Sequence, residues 1–242
     1  MTVELLITGG CSYSDVRTTT QTWPVHLNDF LKLGSNHIKT GLVSQGNGLI
    51  SRRIVYEVSQ ALKTHSADKL LVAVMWSSPD RHDYYDSREN IFTHNVDGWK
   101  QNPTKFITES KTNWVLLNWH WNNPLAKQYY TQFHDQIGSL IYSYEHILRT
   151  QWFLKLHGIK YFMSSHTVEA FPKNFLDHVD VKHLYEQINF DQFLPVDGEY
   201  EWCRDYSGLE FSEHDLSHPT SEQHKLFTNH VIIPFLERKN YV

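Results

Sequence analysis

Several features that mark whole classes of protein are scarce or missing in this sequence. Its 242 residues include only two cysteines, Cys11 and Cys203, too few for a disulfide framework, which favours a reducing compartment. No apolar run approaches the roughly 18–20 residues needed to span a bilayer. The first residues hold no basic segment and include Glu4, unlike a signal peptide. Together these absences predict a cytoplasmic protein with no membrane span.

An excess of positive charge is missing as well. Lys and Arg number 22 against 27 Asp and Glu, a net charge of −5, and this balance does not favour a nucleic-acid partner. Aromatic residues, by contrast, make up 14% of the chain, and there are 16 histidines. The aromatic residues either fill the core or form a binding surface, and the histidines are either solvated or belong to a functional site. Their positions along the chain distinguish these alternatives.

Apolar β-branched runs alternate along the chain with segments whose apolar residues recur at helical spacing. Strands are predicted over residues 3–8, 38–43, 69–76 and 159–164. Helices are predicted over 23–33, 49–62, 125–157 and 221–238, the third as one long helix or a broken pair and the last with a kink at Pro234. This alternation predicts a single α/β domain over 1–242, with three α/β/α layers around a parallel, flavodoxin-like sheet.

Residues 77–125 interrupt this pattern with a polar, turn-rich stretch that has no clear period. Insertions of this length are usually functional, so the stretch predicts a cap beside the binding site. Trp76, Trp119 and Trp121 are candidates for a substrate-binding wall, although packing of the insertion onto the body would also explain them. Arg81 is a candidate clamp for a carboxylate or phosphate, or else the ion-pair partner of a nearby aspartate.

Residue types suited to nucleophilic catalysis occur where a parallel sheet places its ligands, at the carboxyl ends of the strands. Residues 9–15 follow the first predicted strand, and residues 215–220 precede the last helix. Ser12 would attack a carbonyl, His218 would act as its general base, and Asp215 would orient the imidazole. Each piece taken singly is also typical of a turn or a helix cap, whereas the three together favour catalysis.

These segments resemble the sequence blocks of the SGNH, or GDSL-type, hydrolases. Gly10-Cys11-Ser12 is similar to the first block, which holds the nucleophilic serine, and residues 215–220 are similar to the last block, Asp-x-x-His-Pro. Gly46 is similar to the second-block glycine whose backbone N–H binds the oxyanion. The resemblance implies an SGNH hydrolase fold and a serine esterase without cofactor or metal. Its substrate would be a small-molecule or carbohydrate ester.

The third block of that family, Gly-x-Asn-Asp, has no counterpart here, because the corresponding stretch begins Trp76-Ser77-Ser78. Its Asn would donate to the oxyanion, and loss of one such donor can cost about 2.7–4 kcal/mol of transition-state stabilisation. Ser78, Asn47 and Arg81 are candidate replacements, beside the N–H groups of Ser12 and Gly46. The departure leaves two alternatives open: a binding protein of the same fold with impaired catalysis, and an enzyme that transfers acyl groups to a sugar.

Two further chemistries compete with this interpretation. Cys11, beside the candidate nucleophile, is either a nucleophile itself or a small buried thiol. A metal cluster would draw on three histidines near the C-terminus, together with Asp215, but Pro219 interrupts the helical face that they would share. These histidines are His214, His218 and His224. In the last helix, His224 and His230 are expected to be solvated or to cap the helix.

Overall fold

The computed structural model describes residues 3–16, 21–85, 114–119 and 124–242. In these ranges the strands are β1 (Leu5–Gly9), β2 (His37–Lys39), β3 (Leu70–Trp76), β4 (His82–Tyr85), β5 (Trp114–Leu117) and β6 (Lys160–Ser165). The α-helices are α1 (Trp23–Leu31), α2 (Asn47–Ala61), α3 (Pro124–Gln132), α4 (Gln136–Leu156), α5 (Val179–Tyr185), α6 (Glu199–Tyr206), α7 (Ser221–Phe227) and α8 (Ile233–Arg238).

Four parallel strands form the main sheet in the order β2-β1-β3-β6. Ile7 of β1 is in register with Val72 of β3, which is in register with Tyr161 of β6. β1 and β3 are buried along their whole length, as continuous apolar strands of a parallel sheet are expected to be. The predicted insertion contains a separate antiparallel pair, β4 and β5, which its irregular sequence did not indicate.

Helices cover both faces of the main sheet because successive side chains of a strand point to opposite sides. Ile7 and Val72 belong to a core cluster that includes side chains of α2 and α4. Leu6 and Leu71, one residue earlier in each strand, belong to a second cluster with side chains of α1, α7 and α8. The predicted α/β class, with a parallel sheet between layers of helices, is confirmed.

Two of the helix predictions are refined. The segment 125–157 forms the broken pair, because the chain turns before Asp135, whose carboxylate caps α4 by accepting a hydrogen bond from Gly138 N–H at 2.7 Å. The final helix is interrupted by a π-helical turn, Thr228–Ile232, just before Pro234, which occupies the first turn of α8, where an N–H is not needed. In the described part of the chain, no helix is long and apolar enough to cross a membrane.

Three of the four buried histidines in the described residues have a strongly lowered pKa. His37 Nε2 lies 2.8 Å from Thr8 Oγ1 across β1 and β2, His146 lies on α4, and His166 follows β6. Burial lowers the pKa of His37 to about 4 and that of His146 to about 3, and it lowers the pKa of His166 well below its ordinary value. All three imidazoles are therefore neutral in the folded protein at pH 7.

This burial predicts that the protein loses stability as the pH falls from 7 to 5. Below pH about 6.5 each of these histidines takes up a proton in the unfolded chain but not in the folded one, which costs up to about 1.4 kcal/mol per pH unit and histidine. Burial also lowers the pKa of two partly buried histidines, which act in the same direction, and it raises the pKa of four carboxyls, which oppose the trend. The histidines are His26 and His82, and the carboxyls are Glu57, Asp83, Glu199 and Glu201. The five histidines therefore outnumber the four carboxyls. Urea denaturation at both pH values measures the change.

His37→Gln should reduce the loss between the two pH values by about 2 kcal/mol, the share of one neutral buried imidazole over 1.5 pH units. The exposed His157, replaced by Gln, controls for the change of side chain. A wild-type protein as stable at pH 5 as at pH 7 would contradict the prediction.

Candidate active site

The candidate nucleophile lies at the carboxyl edge of the main sheet. Ser12 begins a single helical turn, Ser12–Ser14, directly after β1. Gly10 is required before it, because a Cβ at that position would lie 2.9 Å from the Met75 carbonyl oxygen of the neighbouring strand β3. The tight passage from β1 therefore fixes Ser12 at the end of the sheet, where ligands of such folds bind.

The structure brings the three predicted catalytic residues into contact. Ser12 Oγ lies 2.8 Å from His218 Nε2, and His218 Nδ1 lies 2.8 Å from Asp215 Oδ2. Desolvation raises the pKa of Asp215, but hydrogen bonds from Ser217 and His218 outweigh it, so the net pKa is below the ordinary value and the group is a carboxylate at neutral pH. A hydroxyl, an imidazole and a carboxylate are thus joined in the order that general-base catalysis needs.

The loop that carries Asp215 and His218 is organised by its own polar groups. The backbone N–H and the hydroxyl of Ser217 both donate to Asp215 Oδ1, at 3.0 and 2.7 Å. After Pro219, Thr220 and Gln223 form a reciprocal capping box that starts α7. The spacing of three residues between Asp215 and His218 therefore belongs to a turn ahead of a helix, as the sequence suggested.

Tyr13, which sequence reasoning did not single out, connects this loop to the nucleophile. Its hydroxyl donates to the Ser217 carbonyl oxygen at 2.5 Å, and its ring centroid lies 5.2 Å from that of His218. Burial raises the pKa of Tyr13 far above its ordinary value, so the hydroxyl remains a donor. Because Tyr13 follows Ser12 directly, one residue sets the position of both the nucleophile and the base. In the sequence, the position of Tyr13 next to Ser12 is the one signal that could have pointed to it.

Two more histidines pack against the Tyr13 ring from within the protein. The ring of His166 meets it edge-on at 5.3 Å, and that of His224 meets it at 6.2 Å. The prediction that His224 is solvated or capping is wrong, since its side chain is buried and its Nδ1 lies 2.7 Å from Glu199 Oε1. The burial of the Tyr13 ring explains the error, because a histidine on α7 that packs against it is buried too and needs a partner on α6.

The oxyanion donor predicted at Gly46 has another partner. Its N–H donates to Asp83 Oδ1 at 2.8 Å, and the Leu49 N–H donates to Asp83 Oδ2 at 2.7 Å. These N–H groups belong to the first turn of α2, which has no acceptors of its own and attracts a negative charge. The carboxylate of β4 fills that role, so the Gly46 N–H is not available to an oxyanion in this structure. Burial raises the pKa of Asp83 to about 6.

The side chain of Asn47 is also fully engaged. Its Nδ2 donates to the Ser77 carbonyl oxygen at 3.0 Å and to Ser143 Oγ at 2.6 Å, and its Oδ1 accepts from the Ser77 N–H at 2.8 Å. Asn47 thereby ties the start of α2 to the end of β3 and to α4. The prediction that it donates to the oxyanion is corrected accordingly, because a buried amide with these partners has a structural role.

Ser78 remains a candidate donor. It is buried, with its Oγ 3.3 Å from His166 Nε2 and 3.4 Å from Glu169 Oε2. Through His166 it belongs to the group of side chains packed around Tyr13. That the backbone N–H of Ser12, at the start of its turn, donates to the oxyanion also stays a prediction.

The candidate substrate-binding residues that the structure describes differ in their exposure to solvent. The prediction that Trp76 forms part of a substrate-binding wall is wrong. Its side chain is 0% exposed, and its indole N–H donates to Met163 Sδ at 3.3 Å in the core. As the last residue of β3, it points to the face covered by α2 and α4. Trp119 is 60% exposed, whereas Trp121 lies outside the described residues. The half-buried Arg81 has a buried Nη1 without a hydrogen-bond partner among the described residues, and its role stays a prediction.

The competing chemistries find little support in the geometry. Cys11 is fully buried within the core cluster on the α1 side of the sheet, which favours the inert thiol. No group of three histidine, cysteine or acidic side chains is placed to hold a metal ion within the described ranges. His224, one member of the candidate cluster, is occupied by Glu199.

Comparison with known proteins gives a likeness in fold. No family model matches the chain, and no curated protein matches its sequence. Among solved structures, the chain is similar to protein YxiM from Bacillus subtilis, with a TM-score of 0.51 and 11% sequence identity. The match covers 99% of this chain and 58% of that protein, so the chain spans little more than half the length of its neighbour. At this identity the likeness concerns the overall α/β arrangement alone.

Removal of the Tyr13 hydroxyl is expected to lower the reactivity of Ser12. Tyr13→Phe keeps the ring against His218 but deletes the hydrogen bond to the loop. Because such a bond contributes about 1 kcal/mol, the rate of Ser12 phosphonylation by a fluorophosphonate should fall roughly five- to tenfold. The exposed Tyr56 supplies the matched control, Tyr56→Phe. An unchanged rate in folded Tyr13→Phe would show that the tether does not position the base.

Proposed function

We propose that this protein is a serine ester hydrolase of the SGNH type, acting on the acyl group of a small or carbohydrate ester. The main support is the pair of 2.8 Å contacts that join Ser12 to His218 and His218 to Asp215 at the carboxyl edge of a parallel sheet. The resemblance of the surrounding sequence blocks to that family supports it independently. The likeness in fold to another α/β protein is compatible with it.

In the proposed reaction, Ser12 Oγ forms a bond to the carbonyl carbon of the ester while its proton passes to His218 Nε2. The carboxylate of Asp215 stabilises the resulting imidazolium. Collapse of the tetrahedral intermediate breaks the bond to the alkoxy group, which leaves as an alcohol with the proton from His218. Water then attacks the acyl-enzyme with His218 as base, and the carboxylic acid departs as the Ser12 hydroxyl is restored.

The oxyanion would be held by donors other than Gly46 and Asn47. We assign this role to the Ser12 N–H and the Ser78 hydroxyl. Burial keeps His166 neutral by lowering its pKa, and its Nε2–H can then donate to Ser78 Oγ. The Ser78 hydroxyl proton, which is directed at Glu169 Oε2 at 3.4 Å in this structure, would turn to the oxyanion. The tetrahedral intermediate would thus receive one backbone and one side-chain donor.

Water is favoured over a sugar as the acyl acceptor. The side chains of Asp215 and His218 are 49% and 40% exposed, so the base lies in contact with solvent. Transfer to another acceptor requires that water be kept from the acyl-enzyme, and the described residues leave this base exposed.

A second candidate function is binding without efficient catalysis. It is favoured by one observation, namely that the N–H of Gly46 and the amide of Asn47 already have protein partners. Reaction with a fluorophosphonate separates the two functions, because an activated Ser12 is labelled and an unactivated one is not.

Steady-state hydrolysis of p-nitrophenyl acetate tests the proposed enzyme. Ser12→Ala should lower kcat/KM by at least about 10³-fold, the scale of losing a nucleophile from such a relay, and Asp215→Asn should lower it by a similar factor. Cys11→Ala, at the neighbouring position, should keep most of the activity because that thiol is buried. Equal rates for wild type and Ser12→Ala would refute the assignment.

A further inference from the structure

A cleft with a volume of about 500 Å³ lies between Ser78 and the two residues after it, the first turns of α4, and residues 169–175. Its apolar wall includes Trp119, Tyr130, Pro172 and Phe175. Ser78 also contacts His166, whose ring meets Tyr13 beside Ser12. The cleft is therefore connected to the candidate site through Ser78 and His166.

The aromatic wall of this cleft is held in place before any ligand binds. The Tyr130 hydroxyl lies 2.8 Å from the Asp80 carbonyl oxygen and 2.9 Å from that of Leu117, and its single proton is shared between these two acceptors. The Tyr130 ring meets that of His134 at 5.2 Å. Next to it, Trp119 exposes 60% of its surface. A fixed phenol and an exposed indole offer flat apolar surfaces at little cost in side-chain entropy.

The polar groups of the cleft select against negative charge. Two carboxylates, Asp80 and Glu169, line it, and none of its described lining residues is a lysine or an arginine. Carboxylates accept hydrogen bonds strongly from hydroxyl groups but repel an anion in a partly desolvated site. Arg81, the candidate anion clamp, is not among the residues that form this cleft.

From this combination we propose that the cleft binds an uncharged pyranose ring, the sugar portion of the ester substrate. One face of a pyranose presents C–H groups that pack on an indole, and its hydroxyl groups around the rim suit Glu169 and Asp80. The part of this inference that places the sugar on an ester bond rests on the hydrolase function proposed above. Recognition of the ring itself rests on the cleft alone.

Binding of unacylated glycosides tests the inference without any turnover. A panel of methyl gluco-, galacto-, manno- and xylopyranosides is titrated by ligand-observed NMR, with the methyl glucuronide and galacturonide as charged counterparts. At least one neutral glycoside should bind saturably, and its uronide should bind roughly tenfold more weakly because of repulsion by the two carboxylates.

Variants then locate the site. Trp119→Ala should weaken glycoside binding about tenfold or more, and Trp119→Phe, which keeps a flat ring, only about two- to threefold. Trp152, exposed on α4, gives the matched control, and Trp152→Ala should bind like wild type. Glu169→Gln should bring the affinities for the neutral glycoside and its uronide closer together.

Three results would overturn the inference. These are no saturable binding of any glycoside in the panel, uronides that bind as tightly as their neutral counterparts, and equal effects of Trp119→Ala and Trp152→Ala. Because no ester is present, these outcomes are independent of the p-nitrophenyl acetate assay. A protein that binds glycosides but hydrolyses nothing would keep this inference and lose the proposed hydrolase function.

Discussion

The hydrogen bond from Tyr13 to the Ser217 carbonyl oxygen joins segments 204 positions apart in the chain, and the candidate site depends on it. Ser12 is fixed by the sheet, whereas His218 lies on a partly exposed loop whose own hydrogen bonds lie largely within the loop. Loop residues without tertiary contacts lose considerable entropy when they are ordered. Tyr13 provides that contact through its hydroxyl and its ring, so the distance from Ser12 to His218 follows from the packing of one buried side chain.

The support for Tyr13 is unusually polar for a protein interior. Behind its ring, Glu199 and His224 form a buried pair between α6 and α7, and Glu199 Oε2 has no hydrogen-bond partner in the described part of the chain. A buried pair of this kind adds little to stability, because desolvation offsets much of the attraction. The pair does join α6 to α7 directly behind the ring of Tyr13.

The sequence predicted the residues whose chemistry is tied to the ends of regular elements, and it missed those defined by packing across the fold. Ser12 follows a clear strand and His218 precedes a clear helix, so both could be placed at one edge of the sheet. Tyr13 and His224 gain their roles from each other, which no local pattern records. The prediction for Trp76 failed because it is the last residue of a strand. Successive side chains of a strand point to opposite faces, so a shift of one residue decides whether the side chain lies in the core or in the cleft.

The prediction that Gly46 binds the oxyanion failed because of a residue outside the segment that carries the motif. A glycine at the start of a helix is a good anion donor only when its N–H is unoccupied, and Asp83 on β4 occupies it. β4 belongs to the same insertion that supplies Trp119 and, through Tyr130, the wall of the cleft. One added pair of strands thus changes which groups can serve the oxyanion and also builds the surface that would select the substrate. Under the proposed function, the occupied N–H of Gly46, the glycine that resembles the family's second-block donor, and the substrate preference are therefore two effects of a single insertion.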